Sequence, residues 1–144
     1  MKKQANYYIF EVIFNELMCI YLTEGITFQE YDACNIVDVK KIASLYIEPL
    51  LRPLDQKRRD YIRWAFEYYM TTQSAPFEEL RAAAQDLDYF CAPDDAQEFL
   101  RLLGLCLYGE DYLNYVNVDE YEEKPDYVLA QIAFEPTRHP YFDD

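Results

Sequence analysis

The sequence contains little glycine, histidine or positive charge. Its 144 residues include three glycines, one histidine, and 13 lysines and arginines against 27 aspartates and glutamates. Three isolated glycines cannot form a Gly-rich phosphate loop, and so few of them argue against a turn-rich all-β fold. The formal net charge of -14 disfavours nucleic acid or an anionic membrane as a direct partner. A basic protein is the better match.

Residues with catalytic or metal-binding potential are few and scattered. His139 lies between Arg138 and Pro140 close to the end of the chain, so we expect an exposed bystander and not a positioned base. Asp86 and Asp88 would point in different directions on a helix, and the acidic residues further along lack the residue order of a calcium loop. We therefore expect no enzyme, no metal site and no cofactor.

The cysteines and the first apolar stretch both favour a cytoplasmic protein. Four cysteines are spread widely without a C-x-x-C pair: Cys19, Cys34, Cys91 and Cys106. We expect buried free thiols in a reducing compartment. The first apolar stretch is interrupted by Asn6, Glu11, Asn15 and Glu16, which argues against a signal peptide and against a membrane span.

Apolar residues recur at helical spacing in the first part of the chain. Residues 6–22 are apolar nearly all round, which predicts a central helix ended by Gly25 as a left-handed cap. Asp38 is then predicted to cap a second helix, which Pro49 and Pro53 should break near residue 51.

The third predicted helix carries the only basic cluster in the sequence. Asp55 should open it, and it should bury Ile62, Ala65, Phe66 and Tyr69. The cluster consists of Lys57, Arg58, Arg59 and Arg63. One interpretation is a solvated face with Arg63 paired to Glu67. The other is docking against the acidic second half, within the chain or between copies.

Further helices are predicted in the second half. An apolar stripe covers residues 77–91, another helix should start at Pro93 and end at Gly109, and a last one should run from Asp126 towards Pro136. The final residues, from Arg138 onward, are expected to be mobile or lightly docked. The sequence therefore predicts one compact all-α domain over residues 1–144, a bundle of about five to six helices.

The negative charge is concentrated in the second half of the chain. Residues 1–75 contain 10 acidic and 9 basic side chains, a net charge of -1, whereas residues 76–144 contain 17 acidic and 4 basic ones, a net charge of -13. Residues 108–127, the acidic segment, combine seven carboxylates with one lysine and five tyrosines. The candidate partner-binding residues are Glu110, Asp111, Tyr112, Tyr115, Asp119, Glu120, Tyr121, Glu122, Glu123, Asp126 and Tyr127.

The acidic segment has two interpretations. Charge runs are usually solvated loops that keep a protein soluble. A loop kept only for solubility would not need five exposed phenols, however, and aromatic anchors surrounded by charge are typical of protein interfaces. We therefore favour a protein-binding role for the segment.

A small, acidic, tyrosine-rich helical protein with no catalytic signature resembles the bacterial immunity proteins that neutralise nuclease toxins in colicin and contact-dependent growth inhibition systems. The resemblance lies in size, charge and composition. In the nuclease-colicin immunity proteins a tyrosine pair beside acidic residues contacts the toxin. The pairs here, Tyr7-Tyr8 and Tyr68-Tyr69, lie in apolar helical patterns, so no family residue is carried over.

The leading hypothesis is an immunity protein, monomeric when free, that binds a basic nuclease toxin domain. A nuclease holds phosphates with lysine and arginine, so a partner lined with carboxylates meets complementary charge. The alternative is a nucleic-acid mimic that inhibits a host DNA-binding or CRISPR complex with carboxylates as phosphate surrogates. A third reading is an oligomeric scaffold in which the basic helix of one copy meets the acidic half of another.

Overall fold

The computed structural model describes residues 2–26, 28–74 and 95–143, except for the side chain of Gln29. Of these residues, 63% are helical and 5% lie in strands, so the predicted all-α class is confirmed. The predictions for residues 77–91, for Pro93 and for Cys91 fall outside the described ranges.

The described elements follow one another as two short strands and a series of helices. In chain order they are β1 (Lys3–Ala5), α1 (Tyr8–Glu24), α2 (Ile36–Ile42), α3 (Glu48–Leu51), α4 (Gln56–Thr72), α5 (Ala96–Tyr108), β2 (Tyr121–Glu123) and α6 (Tyr127–Ala133). A π-helical turn at Ala43–Ile47 joins α2 to α3, and 3-10 turns lie at Phe28–Glu30 and Val118–Glu120. Strands β1 and β2 pair in parallel, with Lys3 opposite Tyr121. This pairing attaches the acidic segment to the first residues of the chain.

Helix α1 is the centre of the core, as its all-round apolar pattern predicts. Its buried side chains are Ile9, Phe10, Val12, Ile13, Phe14 and Leu17. The ring of Phe10 packs edge-on against Phe66 of α4, with 5.1 Å between centroids. On α5, Phe99 lies 5.8 Å from Phe14. Aromatic rings thus join α1 to two neighbouring helices by the tilted and edge-on contacts that they prefer.

Two predicted helix boundaries are confirmed. Gly25 ends α1 in the left-handed conformation, with φ of 68° and its N–H donating to the Tyr21 carbonyl at 3.2 Å. Asp55 caps α4, because its Oδ1 accepts the Arg58 backbone N–H at 2.9 Å. Both caps satisfy backbone groups that a helix end leaves without partners.

The predicted start of the second helix is three residues too late. Asn35, not Asp38, caps α2: its Oδ1 accepts the backbone N–H groups of Val37 at 2.9 Å and Asp38 at 3.4 Å. The Asp38 carboxylate instead accepts the Asp32 N–H at 2.8 Å. Asparagine and aspartate cap about equally well, so the sequence alone did not distinguish them.

The helical path ends at Leu51, where the prediction placed the end, but Pro49 does not break it. The π-helical turn Ala43–Ile47 precedes it, and Pro49 lies in the first turn of α3. A proline there removes only a donor that the first turn of a helix does not use. The path therefore continues to Leu51.

The C-terminal residues 137–143 pack on α4, so the expectation of a mobile or lightly docked tail is wrong. Phe142 is buried, with its ring centroid 5.3 Å from that of Tyr61. The Arg58 guanidinium, only 2% exposed, donates to the Thr137 carbonyl and lies 3.4 Å from an Asp143 carboxylate oxygen. The basic cluster is thus not uniformly solvated, because Arg58 docks within the chain. The predicted Arg63–Glu67 pair is confirmed at 3.4 Å.

The cysteines are less buried than expected. Cys19 and Cys34 are exposed and Cys106 is half-buried, and all three are free thiols. Cys19 lies beyond Leu17, the last buried residue of α1. The apolar pattern of α1 continues beyond the part of the helix that packs in the core, which is why the sequence predicted a buried Cys19.

Candidate partner-binding surface

Tyr121 anchors the acidic segment to α4. The residue is 5% exposed, and its hydroxyl donates to the Glu67 Oε1 at 3.0 Å. Its ring lies 5.8 Å from that of Tyr68, and the Lys3 ammonium sits 5.3 Å from the ring centroid. Burial, with the Glu67 carboxylate adding to it, raises the pKa of Tyr121 well above its ordinary value. The hydroxyl therefore stays protonated and acts as a donor.

Tyr112 is a second buried anchor, at the start of the segment. It is 7% exposed, and its ring lies 5.6 Å from that of Tyr108. Tyr108 in turn packs against Phe66 at 5.6 Å and holds the Arg63 guanidinium 5.1 Å above its ring. Burial raises the pKa of both tyrosines. The first residues of the acidic segment are thus held in place by packed aromatic rings.

The close approach of Tyr112 to α5 depends on Gly104. A Cβ at position 104 would collide with the Tyr112 hydroxyl and lie 3.0 Å from Cζ of that ring. Glycine within a helix normally costs about 1 kcal/mol relative to alanine, so its presence here needs a packing reason. The ring of Tyr112 supplies that reason.

Gly104→Ala should lower the free energy of unfolding by about 1 to 2 kcal/mol, because overpacking outweighs the gain in helix propensity. Urea denaturation followed by circular dichroism measures the change. In a Tyr112→Phe background the loss should be smaller, since the hydroxyl that collides is gone. A stabilised Gly104→Ala variant would contradict close packing of Tyr112 against Gly104.

Backbone hydrogen bonds hold the acidic segment at its other end. Besides the β1–β2 pairing, the Lys124 N–H donates to the Ala5 carbonyl at 2.9 Å. The Asn117 side chain accepts the Asp119 N–H at 3.1 Å, and the Asn117 carbonyl accepts the Glu120 N–H at 3.0 Å. Residues 117–124 therefore have a defined conformation and are not a loose loop.

Most of the predicted carboxylates point to solvent. Those that are exposed are Glu110, Asp111, Asp119, Glu120, Glu122 and Glu123. Among the described residues, the one ion pair that involves this set joins Glu120 to Lys3 at 3.7 Å, with both side chains substantially exposed. Exposed pairs of this kind contribute about 0 to 1 kcal/mol. The negative charge of these six carboxylates is thus largely uncompensated by ion pairs among the described residues.

Asp126 has a structural role. It is half-buried and caps α6, with its Oδ1 accepting the Leu129 N–H at 3.0 Å. Its own N–H donates to the Asn6 Oδ1 at 3.2 Å. Its carboxylate is therefore committed to the start of α6.

The tyrosines of the segment divide into anchors and exposed rings. Tyr115 is 93% exposed. Tyr127 is partly exposed, stacks edge-on against Tyr8 at 5.6 Å and accepts a hydrogen bond from Gln131 Nε2 at 3.1 Å. The expectation that all of these phenols are exposed is wrong for Tyr112 and Tyr121. Both rings bury well because a tyrosine is apolar except at its hydroxyl.

Two exposed apolar residues beside the tyrosines were not predicted as part of the surface. Val118 and Val128 are both exposed, the latter to 61%. Val128 belongs to the predicted last helix, where an apolar residue would be assigned to the core, so only the structure reveals its exposure.

The tyrosine pairs Tyr7-Tyr8 and Tyr68-Tyr69 belong to the packing between α1, α4 and α6. The rings of Tyr7 and Tyr8 are 4.4 Å apart, and those of Tyr68 and Tyr69 are 5.0 Å apart. The Tyr69 ring also lies 5.9 Å from that of Phe10. Both pairs therefore take part in packing within the chain.

Other candidate sites are sparse in the part of the chain that the structure describes. No group of three or more histidine, cysteine, aspartate or glutamate side chains there is arranged to hold a metal ion. His139 is half-buried, and its Nδ1 accepts the Tyr141 N–H at 3.1 Å. Within the same ranges, no helix has the length and apolarity needed to cross a membrane.

Comparisons of the chain with family models, curated proteins and solved structures gave no match. Its function must be inferred from its own residues.

Proposed function

We propose that the chain is a cytosolic immunity protein that binds and neutralises a basic, nuclease-type toxin domain through the exposed side of its acidic segment. The observation that supports this most is that the acidic segment has both buried residues, which fix its backbone, and exposed residues, which are available to a partner. Tyr112 and Tyr121 are buried and fix the backbone, while six carboxylates and Tyr115 face solvent.

Fixing the segment before binding lowers the cost of association. A free loop must lose conformational entropy when it is held by a partner, and this loss reduces affinity. Here the strand pairing and the Tyr121–Glu67 hydrogen bond at 3.0 Å have already restricted the backbone. More of the interaction energy is then available for binding.

The charge distribution favours a basic partner. Like-charged side chains on one surface steer a partner of opposite charge and raise association rates, most strongly at low salt. A nuclease presents lysine and arginine to hold phosphates, which makes it complementary to this surface. The resemblance in size and composition to toxin-immunity proteins points to the same class of partner.

The proposal is tested by mixing the purified chain with the product of the adjacent gene and separating the mixture by gel filtration at moderate salt. We expect a stable complex and loss of the partner's nuclease activity. Absence of a complex would overturn the proposal. Displacement of duplex DNA from unrelated DNA-binding proteins would instead indicate a nucleic-acid mimic.

Reversing the charges of Glu120, Glu122 and Glu123 to lysine should slow association about tenfold or more and flatten its salt dependence. Stopped-flow mixing at several ionic strengths measures both effects. The matched control reverses the same number of charges at Glu24, Glu30 and Glu135, which are exposed on other elements. Equal effects in the two triple variants would show that net charge alone, and not this surface, steers the partner.

Tyr115→Ala should raise the dissociation rate, because an exposed ring surrounded by charge is the type of residue that becomes a hot spot. The loss in binding free energy should be about 2 kcal/mol. Its stability should be unchanged, since the ring makes no buried contact at 93% exposure. An unaltered dissociation rate would remove Tyr115 from the contact surface.

A further inference from the structure

Strand β2 has one edge that pairs with β1 and one edge that does not. In an extended strand the N–H and C=O groups of one residue point to the same side, and successive residues alternate between the two sides. The register places Glu123 opposite Ala5, and the Lys124 N–H donates to the Ala5 carbonyl at 2.9 Å. Glu122 and Lys124 therefore face β1, whereas the backbone groups of Tyr121 and Glu123 point away from it, to the outer edge of β2.

Three backbone groups on the outer edge of β2 are open to a partner. The Tyr121 N–H already donates to the Val118 carbonyl. The Tyr121 carbonyl and both backbone groups of Glu123 form no hydrogen bond to another described residue. Glu122 and Glu123 are exposed, so water reaches this edge. A row of unpaired N–H and C=O groups along a strand is a template for a further strand.

The outer edge of β2 fits a short segment. The strand covers Tyr121–Glu123, and the 3-10 turn Val118–Glu120 precedes it. Pro125 follows two residues later and has no N–H to donate. An added strand of about three to five residues therefore spans the edge.

Charged side chains of both signs surround β2, with carboxylates in excess. On the strand, on its flanking residues and around Tyr121 there are five carboxylates and three cations: Asp119, Glu120, Glu122, Glu123 and Glu67, with Lys3, Lys124 and Arg63. Lys3 pairs with Glu120 at 3.7 Å, and Arg63 pairs with Glu67 at 3.4 Å. Lys124 is then the one cation of this set that stands against three carboxylates.

Glu122 and Glu123 lie on opposite faces of the sheet, as successive strand residues do. Burial, and then the Glu123 carboxylate, raises the pKa of Tyr69 on α4. Burial, and then the charges of Asp126 and Glu122, raises the pKa of Tyr141 in the C-terminal residues. A strand on the outer edge of β2 would thus meet a carboxylate on each face.

These carboxylates select the kind of strand that can be added. In a pairing of two copies of β2, like charges would lie opposite one another, which is destabilising. Opposite charges on neighbouring strands stabilise their pairing. The outer edge of β2 therefore favours a basic segment over a second copy of the chain.

From this arrangement we propose that an extended, basic segment of the toxin domain adds to the outer edge of β2 as a third strand. The segment carries two consecutive basic residues, one opposite Glu122 and one opposite Glu123. In strand addition, backbone hydrogen bonds supply affinity and side chains supply specificity. This inference rests on the proposed immunity function and specifies how the partner is held.

Amide hydrogen exchange of the ¹⁵N-labelled chain, alone and with the product of the adjacent gene, tests the proposal. In the free chain the Glu123 amide should exchange fast, whereas the Glu122 and Lys124 amides, which face β1, should be protected. In the complex we expect exchange at Glu123 to slow about a hundredfold or more. A complex in which Glu123 still exchanges fast would overturn strand addition and leave the immunity function standing. Absence of a complex would overturn both.

Two substitutions at one position separate the backbone from the charge. Glu123→Pro removes the outward N–H and the carboxylate, whereas Glu123→Gln removes the carboxylate alone. We expect the proline variant to bind the partner about tenfold more weakly than the glutamine variant, which corresponds to one lost backbone hydrogen bond. Equal binding by the two variants would overturn the proposal.

A second proline variant checks the direction of the backbone groups. Glu123→Pro should keep the fold, because proline is tolerated where a strand N–H faces solvent. Glu122→Pro removes an N–H that faces β1, so it should unfold at a lower urea concentration. Equal destabilisation by the two prolines would overturn the assignment of the outer edge of β2.

Discussion

Arg58→Ala is expected to lower the free energy of unfolding by about 3 kcal/mol, because it removes a buried cation that joins α4 to the C-terminal residues. The guanidinium contacts the Asp55 carboxylate at 2.6 Å and donates to the Thr137 carbonyl and, at 3.4 Å, to the Ile132 carbonyl. Its loss would remove one donor from each of these acceptors and would remove the support of the Phe142 ring.

The acidic partners of Arg58 account for little of this loss. The side chains of Asp55 and Asp143 are 46% and 30% exposed, so water screens their attraction to Arg58. Most of the expected loss therefore comes from the carbonyl hydrogen bonds and from the packing of residues 137–143. A charge-preserving Arg58→Lys variant should lose nearly as much, since an ammonium cannot reach all of these acceptors at once.

Urea denaturation measures this effect, with Arg59→Ala as the control. Arg59 is the next residue, is exposed, and donates to the carbonyls of Leu51 at 3.2 Å and Arg52 at 2.8 Å. Its removal should cost less than about 1 kcal/mol, because water replaces an exposed donor. If the two variants unfold at the same urea concentration, burial of Arg58 does not contribute as described.

Asn6→Asp is expected to cost about 3 to 4 kcal/mol, although the two side chains have nearly the same shape. Asn6 is fully buried, and its amide makes four hydrogen bonds. The Nδ2 group donates to the Tyr61 hydroxyl at 2.8 Å and to the Asp126 carbonyl at 2.7 Å. The Oδ1 atom accepts the N–H groups of Tyr8 at 3.1 Å and Asp126 at 3.2 Å. A carboxylate would lose both donors and would place negative charge beside a carbonyl oxygen.

The control for this variant is Tyr61→Phe, which removes one of the four hydrogen bonds and keeps the ring. We expect a loss of about 1 kcal/mol from it. Burial raises the pKa of the Tyr61 hydroxyl to about 12, so it is neutral throughout the physiological range and the comparison is free of charge effects. Thermal and urea unfolding measure the free energy of unfolding of both variants. If the two variants lose the same amount, the Asn6 amide does not hold β1, α4 and α6 together through all four hydrogen bonds.

The parts of the fold that depend on local sequence pattern were predictable. The all-round apolar stretch of α1, the left-handed Gly25 and the Asp55 cap each follow from rules that act over a few residues. The pairing of Arg63 with Glu67 at 3.4 Å belongs to the same group, since residues four apart meet on a helix.

The parts that depend on distant residues were not predictable. Asn6 and Arg58 look like ordinary polar residues at helix starts, and only their partners around residues 126–143 show that they are buried. Strand β2 is three residues long and pairs in parallel with residues 3–5. A parallel pair has no hairpin turn, so the sequence lacks the turn signal by which a strand pair is usually predicted. In the acidic segment, the carboxylates could be identified from composition alone. The burial of Tyr112 and Tyr121 could be recognised only once the positions of Gly104 and Glu67 were known.

The parallel pairing of Lys3 with Tyr121 also sets the timing of folding during synthesis. The two residues are separated by 118 positions, from 3 to 121, so a ribosome adding 5 to 20 residues per second makes the second strand roughly 6 to 24 s after the first. During that interval α1 has emerged but α6 has not, and apolar side chains that α6 covers are open to other chains. A nascent chain arrested before residue 121 would be prone to aggregate and would have no assembled acidic surface. Because the first strand pairs with the last, we expect the newly made protein to depend on chaperones until residue 123 has been synthesised.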